Sequence, residues 1–78
     1  MSKPTLTWTG ASSRGSLLYQ AYRDHADVHL EGQRIGYILQ LHNGLYQPRL
    51  DGMMGDPVMT ADSAARIVVE MHRKFRSR

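Results

Sequence analysis

The sequence predicts an α+β fold, in which an antiparallel β-sheet is covered on one face by a single C-terminal helix. Two short turn signals, at residues 31–34 and 42–45, divide a β-rich stretch into three strands. Apolar residues then recur at helical spacing from about residue 60 to residue 75. The predicted sheet is therefore a three-stranded meander over residues 27–50, joined by one or two N-terminal strands.

Length and composition indicate one domain, 1–78, in which residues 1–4 and 76–78 are expected to be flexible. The chain contains no cysteine, which excludes disulfides and thiolate chemistry. No apolar run is long enough for a transmembrane helix, and the N-terminus lacks the apolar segment of a signal peptide. We therefore expect a cytoplasmic protein that does not act at a membrane.

The first β-like segment is residues 5–9, where alternation places Leu6 and Trp8 on one face. Residues 10–15 are rich in Gly and Ser and predict a loop. Residues 16–23 fit either a strand or a short helix. The strand is preferred because it gives the first strand a neighbour, whereas the helix would give a β-α-β-β-β-α order.

The first turn of the meander has Gly32 at its first central position, which suits a type II′ turn because that position requires φ > 0. Antiparallel pairing outward from this turn sets Leu30 opposite Ile35. Two residues further along the strands, it sets Val28 opposite Tyr37.

The second turn contains Asn-Gly at 43–44 between apolar runs, a strong signal for a two-residue type I′ hairpin. Its register sets Leu39 opposite Pro48 in a pair without hydrogen bonds. The missing N–H of Pro48 would then face away from the middle strand. Residues 45–50 are accordingly expected to form an edge of the sheet.

The two predicted registers agree on one apolar face, and a slip of one residue would mix the two faces. The predicted core face consists of Val28, Leu30, Ile35, Tyr37, Leu39, Leu41, Tyr46 and Leu50. The predicted outer face consists of Asp27, His29, Glu31, Arg34, Ile38, Gln40, His42, Gln47 and Arg49.

The C-terminal helix is predicted to begin after Thr60, which is its expected N-cap, and to end near Phe75. Asp62 lies in the first turn, where the helix dipole favours an acid. The β-branched run 67–69 has poor helix propensity, so burial must stabilise it. The apolar stripe expected to pack on the meander consists of Ala61, Ala64, Ala65, Val68, Met71, His72 and Phe75.

Positive charge is concentrated at the C-terminal end. Four of the ten Lys and Arg residues lie in the last six positions, so the rest of the chain has six bases against seven acids. Its formal charge is therefore −1, whereas the whole chain carries +3. The charge distribution weakens a nucleic-acid interpretation of the basic isoelectric point, because the folded body is nearly neutral.

No catalytic, cofactor or metal motif is evident. His29 and His42 would lie roughly 20 Å apart along the predicted strands, at ~3.4 Å per residue, which is too far to share a metal. The loop at 51–57 lacks the alternating oxygen ligands of a calcium site. The glycines do not form a phosphate-binding loop before a helix. We therefore expect a protein that is not an enzyme and uses no cofactor or metal.

Two sets of residues are candidates for contact with a partner. Tyr37 and Tyr46 are assigned to the core, so the outer face has few rings for RNA stacking, and a protein partner is favoured there. The outer-face candidates are His29, Arg34, Ile38, Gln40, His42, Gln47 and Arg49. The candidates for contact with nucleic acid are the basic tail residues Arg73, Lys74, Arg76 and Arg78.

The pattern of residues resembles small accessory proteins of bacterial phages and mobile elements, which tend to be a short meander followed by one helix. The residues that carry this resemblance are Trp8, Gly36, Gly44, Leu45, Tyr46, Gly52, Thr60, Ala64 and Ala65. The chain also resembles the sheet-plus-helix DNA-binding domains at integrase N-termini. If residues 16–23 were helical, it would resemble double-stranded RNA-binding domains, but residues 60–63 lack the basic cluster that those domains place at the start of their last helix.

The phage resemblance implies a small non-enzymatic binding protein that modulates or inhibits a host protein complex. A protein is the expected partner, and nucleic acid bound through the outer face and basic tail is the alternative. The chain is expected to be a monomer or a homodimer.

Overall fold

The computed structural model describes residues 3–9 and 23–76. Within these ranges, five strands form one antiparallel sheet in chain order, and one helix packs on one face of it. The α+β prediction is confirmed. Residues 16–22, predicted as a strand or a helix, lie outside the described residues. The elements are β1 (Thr5–Trp8), β2 (Asp24–Leu30), β3 (Gln33–Gln40), β4 (Tyr46–Leu50), β5 (Met53–Met54) and α1 (Ala61–Arg76).

The β2–β3 turn differs from the predicted one by one residue. Its two loop residues are Glu31 and Gly32, with φ of 53° and 82°, and Leu30 lies opposite Gln33. Positive φ at both central positions is the type I′ pattern, which matches the twist of the flanking strands. The predicted type II′ turn is wrong because Gly32 occupies the second central position and Glu31 adopts the left-handed conformation before it.

A β-bulge lies just beyond this turn. His29 pairs with Arg34 and Val28 pairs with Gly36, so Ile35 is an extra residue on β3. Both Ile35 and Gly36 are buried. After the bulge, the pairing partner of Tyr37 is Asp27 and not Val28.

The β3–β4 loop contains three residues, 42–44, and not the two predicted. Leu41 donates its N–H to the carbonyl of Leu45 at 2.9 Å, and Gly44 donates to the carbonyl of Leu41 at 3.1 Å. Gly44 has a φ of 87°, as expected for the residue that closes a three-residue hairpin loop. The Asn43 side chain accepts a hydrogen bond from the N–H of Leu45 at 3.0 Å, which stabilises the longer loop.

Both hairpins therefore differ in register from the prediction, and several residues change faces. Tyr37 and Leu39, predicted in the core, lie on the outer face, whereas Ile38, predicted outside, is fully buried. Val28, Leu30, Ile35, Tyr46 and Leu50 lie in or against the core as predicted. The helix-side face of the sheet includes Ala26, Val28, Gly36, Ile38, Pro48 and Leu50.

The strand containing Pro48 is not the edge of the sheet. The N–H of Gly55 donates to the carbonyl of Pro48 at 2.9 Å, and β5 pairs with the end of β4. On the other side of Pro48, Tyr46 and Val58 exchange two hydrogen bonds of 2.8 Å. As predicted, the position of the missing Pro48 N–H faces away from β3. That side of β4 is nevertheless paired, by the short strand β5 and, separately, by Val58.

The helix begins as predicted. The hydroxyl of Thr60 accepts a hydrogen bond from the N–H of Ser63 at 3.1 Å, which is N-cap geometry. α1 lies mainly over β3 and β4 and buries Ala64, Ala65, Val68 and Val69. Phe75 does not fill the end of the core as predicted, because its side chain is 61% exposed beside the ends of β3 and β4.

Gly36 sets how closely the helix approaches the sheet. A Cβ atom at this position would lie 2.7 Å from the Arg49 carbonyl oxygen and 2.7 Å from Cγ1 of Val68. The absence of a side chain therefore lets α1 pack directly on the β3 backbone. No helix in the described part of the chain is long and apolar enough to cross a membrane.

Candidate binding surface on the outer sheet face

The structure brings together four of the seven outer-face residues that the sequence predicts. His29, Arg34, Gln47 and Arg49 share the face of the sheet opposite α1. Ile38 and Gln40 belong to the helix side, because the observed register is shifted by one residue. This prediction was wrong for both. His42 lies in the exposed β3–β4 loop.

Tyr37 is the centre of the outer face. It pairs with Asp27 on β2 and with Arg49 on β4. The guanidinium carbon of Arg34 lies 5.5 Å from the Tyr37 ring centroid, and that of Arg49 lies 5.8 Å away. His25 meets the same ring edge-on, at 6.4 Å between centroids and an interplanar angle of 76°. We call this group the Tyr37 cluster, and it consists of Tyr37, Asp27, Arg34, Arg49 and His25.

The two arginines of the Tyr37 cluster have different electrostatic surroundings. Nε of Arg34 lies 3.0 Å from Oδ1 of Asp27, and the two side chains are 46% and 32% exposed. At that exposure the ion pair is worth about 0–1 kcal/mol. Its main effect is to fix the direction of the Arg34 guanidinium on a side chain that stays about half exposed.

Arg49 has no comparable partner for its Nε. This atom is buried and has no hydrogen-bond partner among the described residues. An unsatisfied buried donor on a cation costs free energy, and burial keeps this atom out of reach of a partner on the surface. With Arg34 and Arg49 set against the single carboxylate of Asp27, the cluster carries a formal excess of one positive charge.

The geometry suits recognition of an acidic or planar group. Arginine guanidinium groups bind carboxylates and phosphates through two parallel hydrogen bonds and stack on flat ligands. The Tyr37 ring holds both guanidinium groups beside it by cation–π attraction, so they are partly ordered before any ligand arrives. A shallow cavity of about 290 Å³, lined by His25, Arg34, Tyr37 and Leu39, adjoins the ring.

Arg34 also joins this surface to a second cavity at the far end of the helix. That cavity has a volume of about 450 Å³ and an apolar floor formed by Ile35, Gly36 and Leu50. His72 and Phe75 of α1 form its opposite wall. The outer face and the end of the helix are therefore continuous around the β2–β3 turn.

The basic tail residues lie at this same end. Arg73 and Lys74 are exposed in the last turn of α1, and Arg76 is its last residue. Arg78 lies outside the described residues. Cations near a helix C-terminus are also favoured by the helix dipole, so their position has a structural cause independent of any ligand.

Asp24 is a buried carboxylate that sequence reasoning did not identify. It accepts hydrogen bonds from the hydroxyl of Thr9 and from the N–H of His25, the latter at 2.7 Å. The bond from Thr9 ties the end of β1 to the start of β2, so Asp24 has a structural role. Among the described residues, no group of three acidic, histidine or cysteine side chains is arranged to hold a metal ion.

Comparison with known proteins gives no match: no protein-family profile, curated protein or solved structure is significantly similar to this chain. The Tyr37 cluster is therefore a candidate site on the basis of its geometry alone. Sequence reasoning identified Arg34 and Arg49 and missed Tyr37, because it assigned the ring to the core. The one signal that could have corrected this was Gly36, since a bulge at the neighbouring Ile35 reverses the side chains that follow on β3.

Proposed function

We propose that this protein is a small non-enzymatic binding protein that contacts an acidic protein partner through its outer sheet face. The observation that carries this proposal is the close approach of two guanidinium groups to the Tyr37 ring, at 5.5 Å for Arg34 and 5.8 Å for Arg49. Tyr and Arg are, together with Trp, the residues enriched among the hot spots at the centres of protein interfaces.

The mixed charge of the surface supports a protein partner. Asp27 lies directly across from Tyr37 and pairs with Arg34, so a continuous run of phosphates would meet a carboxylate at the centre of the site. A protein partner can place an acidic side chain beside Arg49 and a polar or neutral group beside Asp27. This pattern gives specificity for one arrangement of groups on the partner.

The biological setting that fits best is the cytoplasm of a bacterial cell. The resemblance to phage and mobile-element accessory proteins supports a role in modulating or inhibiting a host protein complex. A preformed surface on a small domain suits such a role, because little side-chain ordering is needed on binding.

Affinity capture with matched variants tests the proposal. Tagged wild-type protein, a Tyr37→Ala/Arg49→Ala double variant and an Arg66→Ala control are incubated with bacterial lysate, and retained proteins are quantified by mass spectrometry. Arg66 is exposed on α1, so its removal changes charge without touching the outer face. A partner retained by the wild type and the control should be lost by the double variant.

The retained partner is then purified and titrated by calorimetry. Loss of an interface hot spot costs about 2 kcal/mol or more, and each 1.4 kcal/mol is a tenfold change in affinity, so we expect a loss of more than tenfold for the double variant. Equal affinity of the double variant and the wild type would refute the role of the Tyr37 cluster.

Single-stranded nucleic acid is the second candidate ligand, because two aromatic rings that were predicted in the core lie at the surface near cations. Tyr37 is on the outer face, and Phe75 is exposed beside Arg73 and Lys74. Arg34 connects the two groups. Alternating rings and cations along a surface are typical of sequence-tolerant single-strand binding.

Fluorescence anisotropy with labelled single-stranded DNA and RNA, at two salt concentrations, tests this candidate. Binding through phosphates should weaken steeply with salt, and a chain truncated before Arg73 should lose it. The truncated chain should keep its protein partner if the first proposal holds. Absence of any anisotropy change at low salt would exclude the nucleic-acid function.

A further inference from the structure

We propose that the protein forms a twofold-symmetric homodimer in which β1 pairs antiparallel with β1 of a second copy. This dimer does not depend on the function proposed above. It uses the edge of the sheet at β1, opposite the edge at β5. Strand β1 is an outer strand of the sheet, and no described strand lies beyond it.

The hydrogen bonds of β1 determine which of its backbone groups point outward. Thr9 donates its N–H to the carbonyl of His25 at 3.0 Å, so Thr9 belongs to a hydrogen-bonded pair with β2. Hydrogen-bonded and non-hydrogen-bonded pairs alternate along an antiparallel ladder. Thr7 and Thr5 therefore also direct their polar groups toward β2, and the N–H and C=O groups of Leu6 and Trp8 point outward.

The outward groups select one symmetric register. If Leu6 pairs with Trp8 of the second copy and Trp8 with its Leu6, all four outward groups of each copy are used. The twofold axis then passes between the two copies of Thr7. A register centred on Leu6 would place Pro4 opposite Trp8, where the missing N–H of proline leaves the Trp8 carbonyl without a donor.

The side chains are compatible with the same register. Leu6 and Trp8 share the helix-side face with Val28 and Ala26, so the dimer would pair Leu6 of each copy with Trp8 of the other. Trp8 is 39% exposed, with its ring meeting Tyr46 edge-on at 6.1 Å. Cross-strand aromatic–aliphatic pairs of this kind stabilise antiparallel sheets.

The two edges of the sheet are protected unequally. The edge at β5 consists of two residues, and its pairing with β4 is interrupted at Pro48. By contrast, β1 contains neither a charged residue nor a proline between Thr5 and Trp8. Within residues 3–9 and 23–76 nothing covers the outer edge of β1, and such an edge is a template for pairing with another chain. A second copy is the partner whose hydrogen-bond register β1 itself specifies.

The dimer would also change what the outer face can do. Paired residues point to the same side of a sheet, so both helices would lie on one face of the combined sheet and both Tyr37 clusters on the other. A partner with repeated acidic groups could then contact both clusters at once.

Engineered cysteines test the register. The native chain has no cysteine, so Thr7→Cys introduces one thiol per chain. At the twofold axis the two copies of residue 7 would form a non-hydrogen-bonded pair with Cα atoms about 4.5 Å apart, within the range that a disulfide bridges. The matched control is Thr5→Cys, whose copies would lie about 14 Å apart along the strands.

We expect a molar mass of twice 8.9 kDa by light scattering at high protein concentration, falling toward the monomer on dilution. Mild oxidation should cross-link the Thr7→Cys variant and leave Thr5→Cys largely uncross-linked. A second pair of variants keeps the test independent of thiol chemistry. Thr7→Lys places like charges opposite each other and should produce a monomer, whereas Thr5→Lys should remain dimeric.

Both positions are exposed in β1, and circular dichroism establishes that the variants remain folded. A wild-type protein that is monomeric at every concentration would overturn the proposal. So would a dimer that Thr7→Lys does not weaken, or equal cross-linking of the two cysteine variants, because either result would place the interface elsewhere.

Discussion

Replacement of Gly36 by alanine tests the observed sheet register most directly. In the structure, the added Cβ would lie 2.7 Å from the Arg49 carbonyl oxygen, 2.7 Å from Cγ1 of Val68 and 2.9 Å from Cδ1 of Leu50. In the register predicted from the turns, Gly36 lies opposite His29 on the solvated face. There, an alanine would relieve the conformational cost of glycine in a strand.

The size of the effect follows from these contacts. Overpacking a well-packed core costs about 1–3 kcal/mol, and one of the three contacts is with backbone, which cannot rotate away. We therefore expect a loss of about 2–3 kcal/mol for Gly36→Ala. For a domain of this size, that loss lowers the melting temperature by roughly 10–20 °C, at about 4–8 °C per kcal/mol.

The assay is urea unfolding followed by Trp8 fluorescence and circular dichroism, with Val68→Ala and the double variant measured in parallel. Truncation of Val68 removes one of the three atoms that the new Cβ would meet. The double variant should therefore be less destabilised than the sum of the two single variants. A Gly36→Ala protein as stable as the wild type, or more stable, would refute the observed packing of α1 on β3.

Three further changes give distinct outcomes in the same unfolding assay or in binding. Ile38→Ala should cost about 2–5 kcal/mol because its side chain is fully buried, and a loss below about 0.5 kcal/mol would return Ile38 to the outer face. Thr60→Ala should cost about 1 kcal/mol by removing the acceptor for the N–H of Ser63, whereas Thr60→Ser should be nearly neutral. Asp27→Asn should change stability by no more than about 1 kcal/mol and should strengthen binding of acidic partners, because it leaves Arg34 uncompensated. Weaker binding of an acidic partner by Asp27→Asn would contradict the assigned polarity of the surface.

The position of the Tyr37 cluster is a consequence of the bulge at Ile35. Without the extra residue, Tyr37 would continue the core face and Arg34 would lie farther from it. With the bulge, Ile35 and Gly36 both turn inward and the next residue turns outward between Arg34 and Arg49. The irregularity therefore buries apolar surface and assembles the candidate site at the same time.

Part of the candidate site could be predicted from the sequence. The pairing derived from the turns assigned Arg34 and Arg49 correctly to the outer face. Arg34 precedes the bulge, and the extra residue of the β3–β4 loop offsets the bulge, so β4 keeps its predicted faces. The predicted faces of Tyr37 and Ile38 were the reverse of those observed, because both side chains are apolar enough for either face and only the register distinguishes them. The exposed position of Phe75 could not be predicted either, since the helical stripe continues beyond the end of the sheet that it covers.

The sequence by itself determined the first strand, the meander and the helix, whereas β5 lies in the segment 51–57 that was predicted as a loop. Strand-forming alternation, two glycine-containing turns, the Thr60 cap and the spacing of Ala64 and Val68 each act over a few residues, so local propensity specifies them. The exact position of the first loop and the length of the second were decided by the tertiary structure. A glycine tolerates positive φ at either turn position, so both hairpins admit two loops that differ by one residue. Packing of α1 selects the arrangement, including the bulge at Ile35, that buries Val28 and Ile38 and leaves Gly36 beneath the helix.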